Sequence, residues 1–197
     1  MSGSGTVVKA VVVPSAPLLL AEYAAAGDPA PALTAACTGA VEWLVQRRPP
    51  LVHVLTSPPT GEERANGAPD LGPRVAEHLL RRAGFAGEVV AGARPGEQVE
   101  TVLVVADGSA RRGEKAPGHL DERSFAFDAA VEEALMLADS AALESLDVRL
   151  GAELLARGVP ALQALGALDL PVEQVDLDYA GDPFGVQYWV VRWQCVL

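Results

Sequence analysis

The sequence predicts an α/β domain with a mixed central sheet and helices on both faces, and three observations carry that prediction. Short apolar runs rich in β-branched residues, such as Thr101–Ala106, alternate with helical patterns through the first half of the chain. A helical block follows. Two strand-like runs then close the chain around the turn Gly181-Asp182-Pro183-Phe184-Gly185. At 197 residues the chain fits one domain over 1–197, long enough to bury roughly 70% of its unfolded surface in one core.

Thr6–Val13 reads as the first strand, stopped by Pro14 because proline cannot donate to a ladder. The loop Pro14-Ser15-Ala16-Pro17 follows. From Pro31 to Arg47 the residues Leu33, Cys37, Val41, Leu44 and Val45 recur at helical spacing, and Pro49-Pro50 ends that helix. Leu51–Thr56 is the second strand. Its exit, Ser57-Pro58-Pro59-Thr60-Gly61, opens a polar loop that runs to Leu71, where Val75, Leu79 and a stop at Gly84 mark another helix. Phe85–Ala91 is the third strand, and Thr101–Ala106 the fourth, with Asp107 at its carboxyl end.

A helix starts near Asp121 as N-cap and carries Phe127, Val131 and Leu135 on one stripe. Asp139-Ser140 caps the next, which aligns Leu143, Leu146, Leu150 and Leu154 and stops at Gly158. Val159–Leu168 adds a short helical turn. Val172–Tyr179 and Val186–Val196 are the closing strands. Along the second, Tyr188, Trp189 and Trp193 alternate, which suggests one packed face and one partly exposed face or dimer edge.

Composition excludes several classes. A net charge of −11, with Lys9 and Lys115 the only lysines, disfavours nucleic acid, because phosphate binding rests on clustered cations. No run of apolar residues is long enough for a membrane span. Val11–Ala26 imitates a signal peptide, yet Pro14, Pro17 and Glu22 interrupt it and Lys9 is its only basic residue. The expectation is a cytoplasmic protein with Cys37 and Cys195 reduced.

Three strand exits carry unusual loops: 14–17, 57–61 and 107–112. If their strands are parallel neighbours, the loops meet at one rim, where ligands bind in open α/β sheets. Arg111, Arg112 and Lys115 bunch around Ser109, a setting that suits a carboxylate or phosphate. Asp107, Glu114, Asp121 and Glu122 stand near enough to neutralise them, and Arg123 pairs locally. Asp107 itself is a general base or, more simply, a turn-capping carboxylate. Ser15, Ser57 and Ser109 lie outside Gly-x-Ser-x-Gly, with no histidine placed by sequence to activate them. His53 reads as core, His78 as surface, and His119 as a helix-start residue within reach of the rim. Leu18-Leu19-Leu20 with Tyr23 is a docking face or, the simpler reading, buried under the sheet.

Those loops, in that order, resemble the active-site loops of class III extradiol ring-cleavage dioxygenases, whose fold the Memo-like proteins share. There the first strand ends in Pro-His-x-Pro, the second in a Ser-Pro-His turn, and a later one in Gly-Asp-x-Ser-His. Here they read Pro14-Ser15-Ala16-Pro17, Ser57-Pro58-Pro59 and Ala106-Asp107-Gly108-Ser109-Ala110. The likeness continues through Phe127-Asp128 and Ala138-Asp139-Ser140-Ala141-Ala142-Leu143, where the family often has Gly-Asp-x-x-x-Leu. It covers most of the chain, which looks short between Ala91 and Thr101.

The resemblance implies a non-haem iron held by two histidines and a glutamate, with a further histidine as acid/base. Position by position, the ligands become Ser15 and Pro59 and the acid/base becomes Ala110. The glutamate has no clear counterpart, although Asp178 and Asp182 lie in the corresponding terminal region. A hydroxyl, a proline and a methyl cannot replace imidazoles. No cofactor is therefore expected, with Fe(II) only if the family activity survives. The expected function is binding of a small anionic molecule or a protein partner at a rim of Ser15, Ser57, Pro59, Asp107, Ser109, Arg111, Arg112 and His119. One alternative is an active metal-dependent dioxygenase or oxidoreductase using ligands such as His119, Asp107 and Asp178. Another is a structural homo-oligomeric protein joined through the terminal strands.

Overall fold

The computed structural model describes residues 7–23, 27–93 and 99–196. Strand β1 (Val7–Val13) leaves through a 3-10 turn (Pro17–Leu19) toward helix α1 (Pro31–Val45). Next come β2 (Leu51–Thr56), α2 (Gly61–Ala65), α3 (Leu71–Arg82), β3 (Glu88–Ala91) and β4 (Thr101–Val105). Helices α4 (Arg123–Met136), α5 (Ser140–Glu144), α6 (Val148–Glu153) and α7 (Val159–Gly166) precede β5 (Val172–Gly181) and β6 (Tyr188–Val196). Thr6, the predicted start of the first strand, lies outside the described residues, as do 94–98 of the segment that looks short.

The strands form one sheet in the order β3-β2-β4-β1-β6-β5. β2 pairs in parallel with β3 and β4, and β4 with β1, whereas β6 runs antiparallel to both β1 and β5. The sheet is therefore mixed, as predicted. Alternation divides each strand between two cores. Val11, Val13, Leu103, Val105 and Val190 pack with Leu33, Cys37, Val41 and Leu44 of α1 and with Val75 and Leu79 of α3. Ala10, Val12, Val102, Val104, Trp189, Val191 and Trp193 pack with Phe127, Val131 and Leu135 of α4 and with Leu143, Leu154, Leu162 and Leu165. Both faces are covered, which is why β4 reads as a buried apolar run and β1 as one broken only by Lys9.

The structure departs from the sequence reading in four places. The leucine helix predicted from Asp139 to Gly158 is two short helices, because Asp147 takes up a second cap and accepts from the Leu150 amide at 2.9 Å, as Asp139 does from Ala142. The polar loop 57–71 contains α2, opened by a capping box: the Glu63 carboxylate accepts from the Thr60 amide at 2.8 Å, and the Glu63 amide donates to the Thr60 hydroxyl at 3.2 Å. β3 begins later than Phe85, because the Phe85 and Gly84 amides close α3 onto the Leu80 and Arg81 carbonyls, with Gly84 at φ 72°. Finally, β6 is no edge. It lies between β1 and β5, and Tyr188, Trp189 and Trp193 are 5%, 0% and 1% exposed. The sheet edges are β3 and β5.

Leu19 and Leu20 are buried and Leu18 packs partly against the same core, leaving Tyr23 exposed, so this run is interior rather than a docking face. His53 is buried with Nδ1 3.0 Å from the Gly92 carbonyl, while His78 is half-buried on α3. Among the described residues no helix is long and apolar enough to cross a membrane.

Candidate functional site

Because β2, β4 and β1 are parallel neighbours, their carboxyl ends bring the exits at Ser57, Asp107 and Pro14 to one rim. The Ser15 amide donates to Asp107 Oδ1 at 2.7 Å, and the Ser15 hydroxyl donates to Oδ2. Burial pushes the Asp107 carboxyl up to about 6, against the two Ser15 hydrogen bonds and Arg157, which favour its charged form. On the neighbouring exit the Ser57 hydroxyl accepts from the Ala161 amide at 3.3 Å and so caps α7 from another element. Gly158 sits between them. A Cβ there would lie 2.4 Å from the Asp107 carbonyl oxygen and 2.5 Å from its amide nitrogen, so only glycine lets the start of α7 approach β4 this closely.

These contacts enclose a cleft of about 100 Å³ lined by Ser15, Ser57, Pro59, Glu63, Asp70 and Arg157. Among the described residues Arg157 is the one basic side chain in its wall. Its Nη2 donates to Glu63 Oε2, with the two side chains 40% and 36% exposed. Hydrogen bonds from Thr60 and from Arg157 hold the Glu63 carboxyl below its usual range. Asp70, the N-cap of α3, makes no side-chain capping hydrogen bond.

The structure brings Ser15, Ser57, Pro59 and Asp107 together and places the other predicted site residues elsewhere. Ser109 is fully buried: its amide donates to Asp128 Oδ1 at 2.8 Å and its hydroxyl to Oδ2 at 2.5 Å. Arg112 donates to Asp128 at 3.1 Å and to Asp182 at 2.8 Å, and lies 4.6 Å from the Phe125 ring centre. That network ties β4's exit to α4 and to the β5–β6 turn, and it engages the guanidinium predicted to meet a ligand. Arg111 packs its Cγ against Gly118, where a Cβ would come within 2.6 Å. His119 is exposed at φ 57°, with Nδ1 3.4 Å from the Glu114 carbonyl, so it closes a local turn and is absent from the cleft wall.

Sequence reasoning missed Glu63, Asp70 and Arg157. Thr60-x-x-Glu63 is a capping-box signature that would have located Glu63. Arg157, beside the glycine that ends a predicted helix, carried no such signal.

The donor set does not fit a non-haem iron. Ser15 is engaged with Asp107, and Pro59 and Ala110 have no donor atom on their side chains. Among the described residues no three His, Cys, Asp or Glu side chains are grouped to hold a metal ion. The alternative set does not assemble either, since Asp178 is bound to Arg192 at 2.6 and 2.8 Å while Asp107 holds Ser15. Cys37 and Cys195 are buried and unpaired, and burial pushes their thiols up to about 12 and about 11, so neither supplies a reactive thiolate. No protein-family model matches the chain, and no curated protein matches it.

Proposed function

We propose that this chain is a binding domain of extradiol dioxygenase-like build, taking a small carboxylate-bearing molecule at the rim in place of iron-dependent ring cleavage. The observation that carries the reading is Arg157, a guanidinium in the wall of the cleft at the carboxyl ends of β1, β2 and β4. A guanidinium has five N–H donors and suits a planar carboxylate. Arg157 spends Nη2 on Glu63. The hydroxyls of Ser15 and Ser57 stand in the same wall with lone pairs beyond those their bonds engage.

Amide chemical shifts followed during titration with a panel of small carboxylic acids and amino acids test the reading. Saturable movement at Ser15, Ser57 and Gly158 is expected, and Arg157→Gln is expected to abolish it. A panel that moves no cleft amide, or moves them equally in Arg157→Gln, overturns the proposal. Anaerobic Fe(II) reconstitution followed by desalting addresses the catalytic alternative. No stoichiometric retention is expected, and retention with catechol cleavage would restore the enzyme reading.

A further inference from the structure

We infer that the ligand of this cleft is a small zwitterion, carrying an ammonium group beside its carboxylate as a free amino acid does. The inference rests on the proposed binding role and follows from the charges around Arg157. The wall presents one guanidinium and two carboxylates, Glu63 and Asp70. Glu63 already occupies Arg157, and the Asp70 side chain makes no capping hydrogen bond. A simple anion docking on the remaining N–H groups of Arg157 would bring a third carboxylate into this group, and like charges at short range oppose it. An ammonium on the same molecule removes that opposition, because it has three donors for Glu63 and Asp70. The hydroxyl oxygens of Ser15 and Ser57 add neutral acceptors. A cleft of about 100 Å³ has room for several water molecules and so for a ligand of amino-acid size.

Glu63 sits where a second partner is useful. Its carboxylate is fixed by the Thr60 amide and hydroxyl at 2.8 and 3.1 Å, so α2's capping box orients the acceptor before any ligand arrives. Such preorganisation lowers the ordering cost of binding.

The test is a comparison of L-alanine, N-acetyl-L-alanine, which lacks the ammonium, and L-alaninamide, which lacks the carboxylate, each titrated against the full chain with amide shifts as readout. L-Alanine is expected to saturate the cleft, and each blocked form to bind roughly tenfold more weakly or worse, as the loss of a charge-assisted contact implies. Glu63→Gln with Asp70→Asn is expected to shrink the preference of alanine over N-acetylalanine at least about fivefold. Glutamine keeps the capping box, so the variant's folding is checked by an unchanged melting temperature. N-Acetylalanine binding as tightly as alanine overturns the zwitterion and leaves the carboxylate reading standing. Alaninamide binding as tightly as alanine overturns both, and so does the absence of any cleft shift with all three. A double variant with an undiminished amine preference also overturns the inference.

Discussion

Ser15 and Asp107 lie 92 residues apart and meet through two hydrogen bonds, amide and hydroxyl of the serine both donating to one carboxylate. The same device recurs between Ser109 and Asp128. In each case a carboxylate on one element gathers a seryl backbone and side chain from another, and these bonds hold the loop at a strand exit. At the first pair the consequence is a stitched β1 and β4 rim. At the second it is a closed polar core.

Replacing Asp107 with Asn is expected to change how stability varies with pH. The Asp107 carboxyl titrates near 6 in the fold against 3.8 ordinarily, so the folded state favours its protonated form. That contribution is complete below about 3.8 and is lost as pH rises through about 6. Unfolding free energies from urea titrations between pH 4 and 7 should therefore fall less in Asp107→Asn than in the parent, by about 1–3 kcal/mol over the window. Parallel curves for the two proteins would refute the assignment.

Ser57→Ala removes the acceptor of the Ala161 amide at the start of α7. The expected cost is about 1 kcal/mol, equivalent to a fall in melting temperature of roughly 2–4 °C for a chain of this size. Thr at the same position should recover most of it. A melting temperature unmoved by Ala would show that the amide is satisfied without the hydroxyl.

At Gly158 the clash is with backbone, which cannot rotate away. Gly158→Ala is expected to destabilise by about 2 kcal/mol or more, since its Cβ meets Asp107's amide and carbonyl and the start of α7 must retreat from β4. Calorimetry checks the stability. Amide shifts at Ser15 and Ser57 check the retreat, and a variant that melts like the parent contradicts the close approach.

Asp128→Ala leaves the buried Ser109 and the Arg112 guanidinium without their shared acceptor, Asp128 being 2% exposed. Removing one side of such a pair costs about 3–5 kcal/mol. Asn, which keeps an acceptor oxygen, should cost distinctly less in the same denaturant titration. Equal losses for Ala and Asn would mean that shape, not the polar contact, holds this corner.

Lys9 is a buried cation with its ammonium donating to the Trp43 carbonyl at 2.8 Å and lying 4.1 Å from that ring's centre. Burial, with Arg47 and Arg192 nearby, lowers its pKa to about 8 from 10.5. A folded pKa below the unfolded one means the neutral form is favoured, so stability rises as pH climbs from about 8 toward 10.5. Lys9→Met should erase that alkaline gain in thermal melts. A Met variant that gains as much as the parent over the same range would disprove it.

Leu51–Thr56 and Thr101–Val105 were legible in the amino-acid string, as was the stripe Leu33, Cys37, Val41 and Leu44, because side-chain period alone separates a two-faced strand from a one-faced helix. The three unusual loops could be marked as strand exits for the same reason. Local chemistry went unread where polar side chains compete with the backbone, as at Asp147, whose cap splits a leucine stripe that otherwise looks continuous. What no periodicity contains is which strands become neighbours. The order β2-β4-β1 put Ser57 and Asp107 beside Ser15, and the insertion of β6 between β1 and β5 buried an alternation of aromatic residues that resembled a half-exposed strand. The charges near Asp107 in the chain, Arg111 and Arg112, turned away from the cleft. Arg157, 50 positions beyond Asp107, entered it, because helix packing on the sheet sets distances in space that spacing along the chain does not encode.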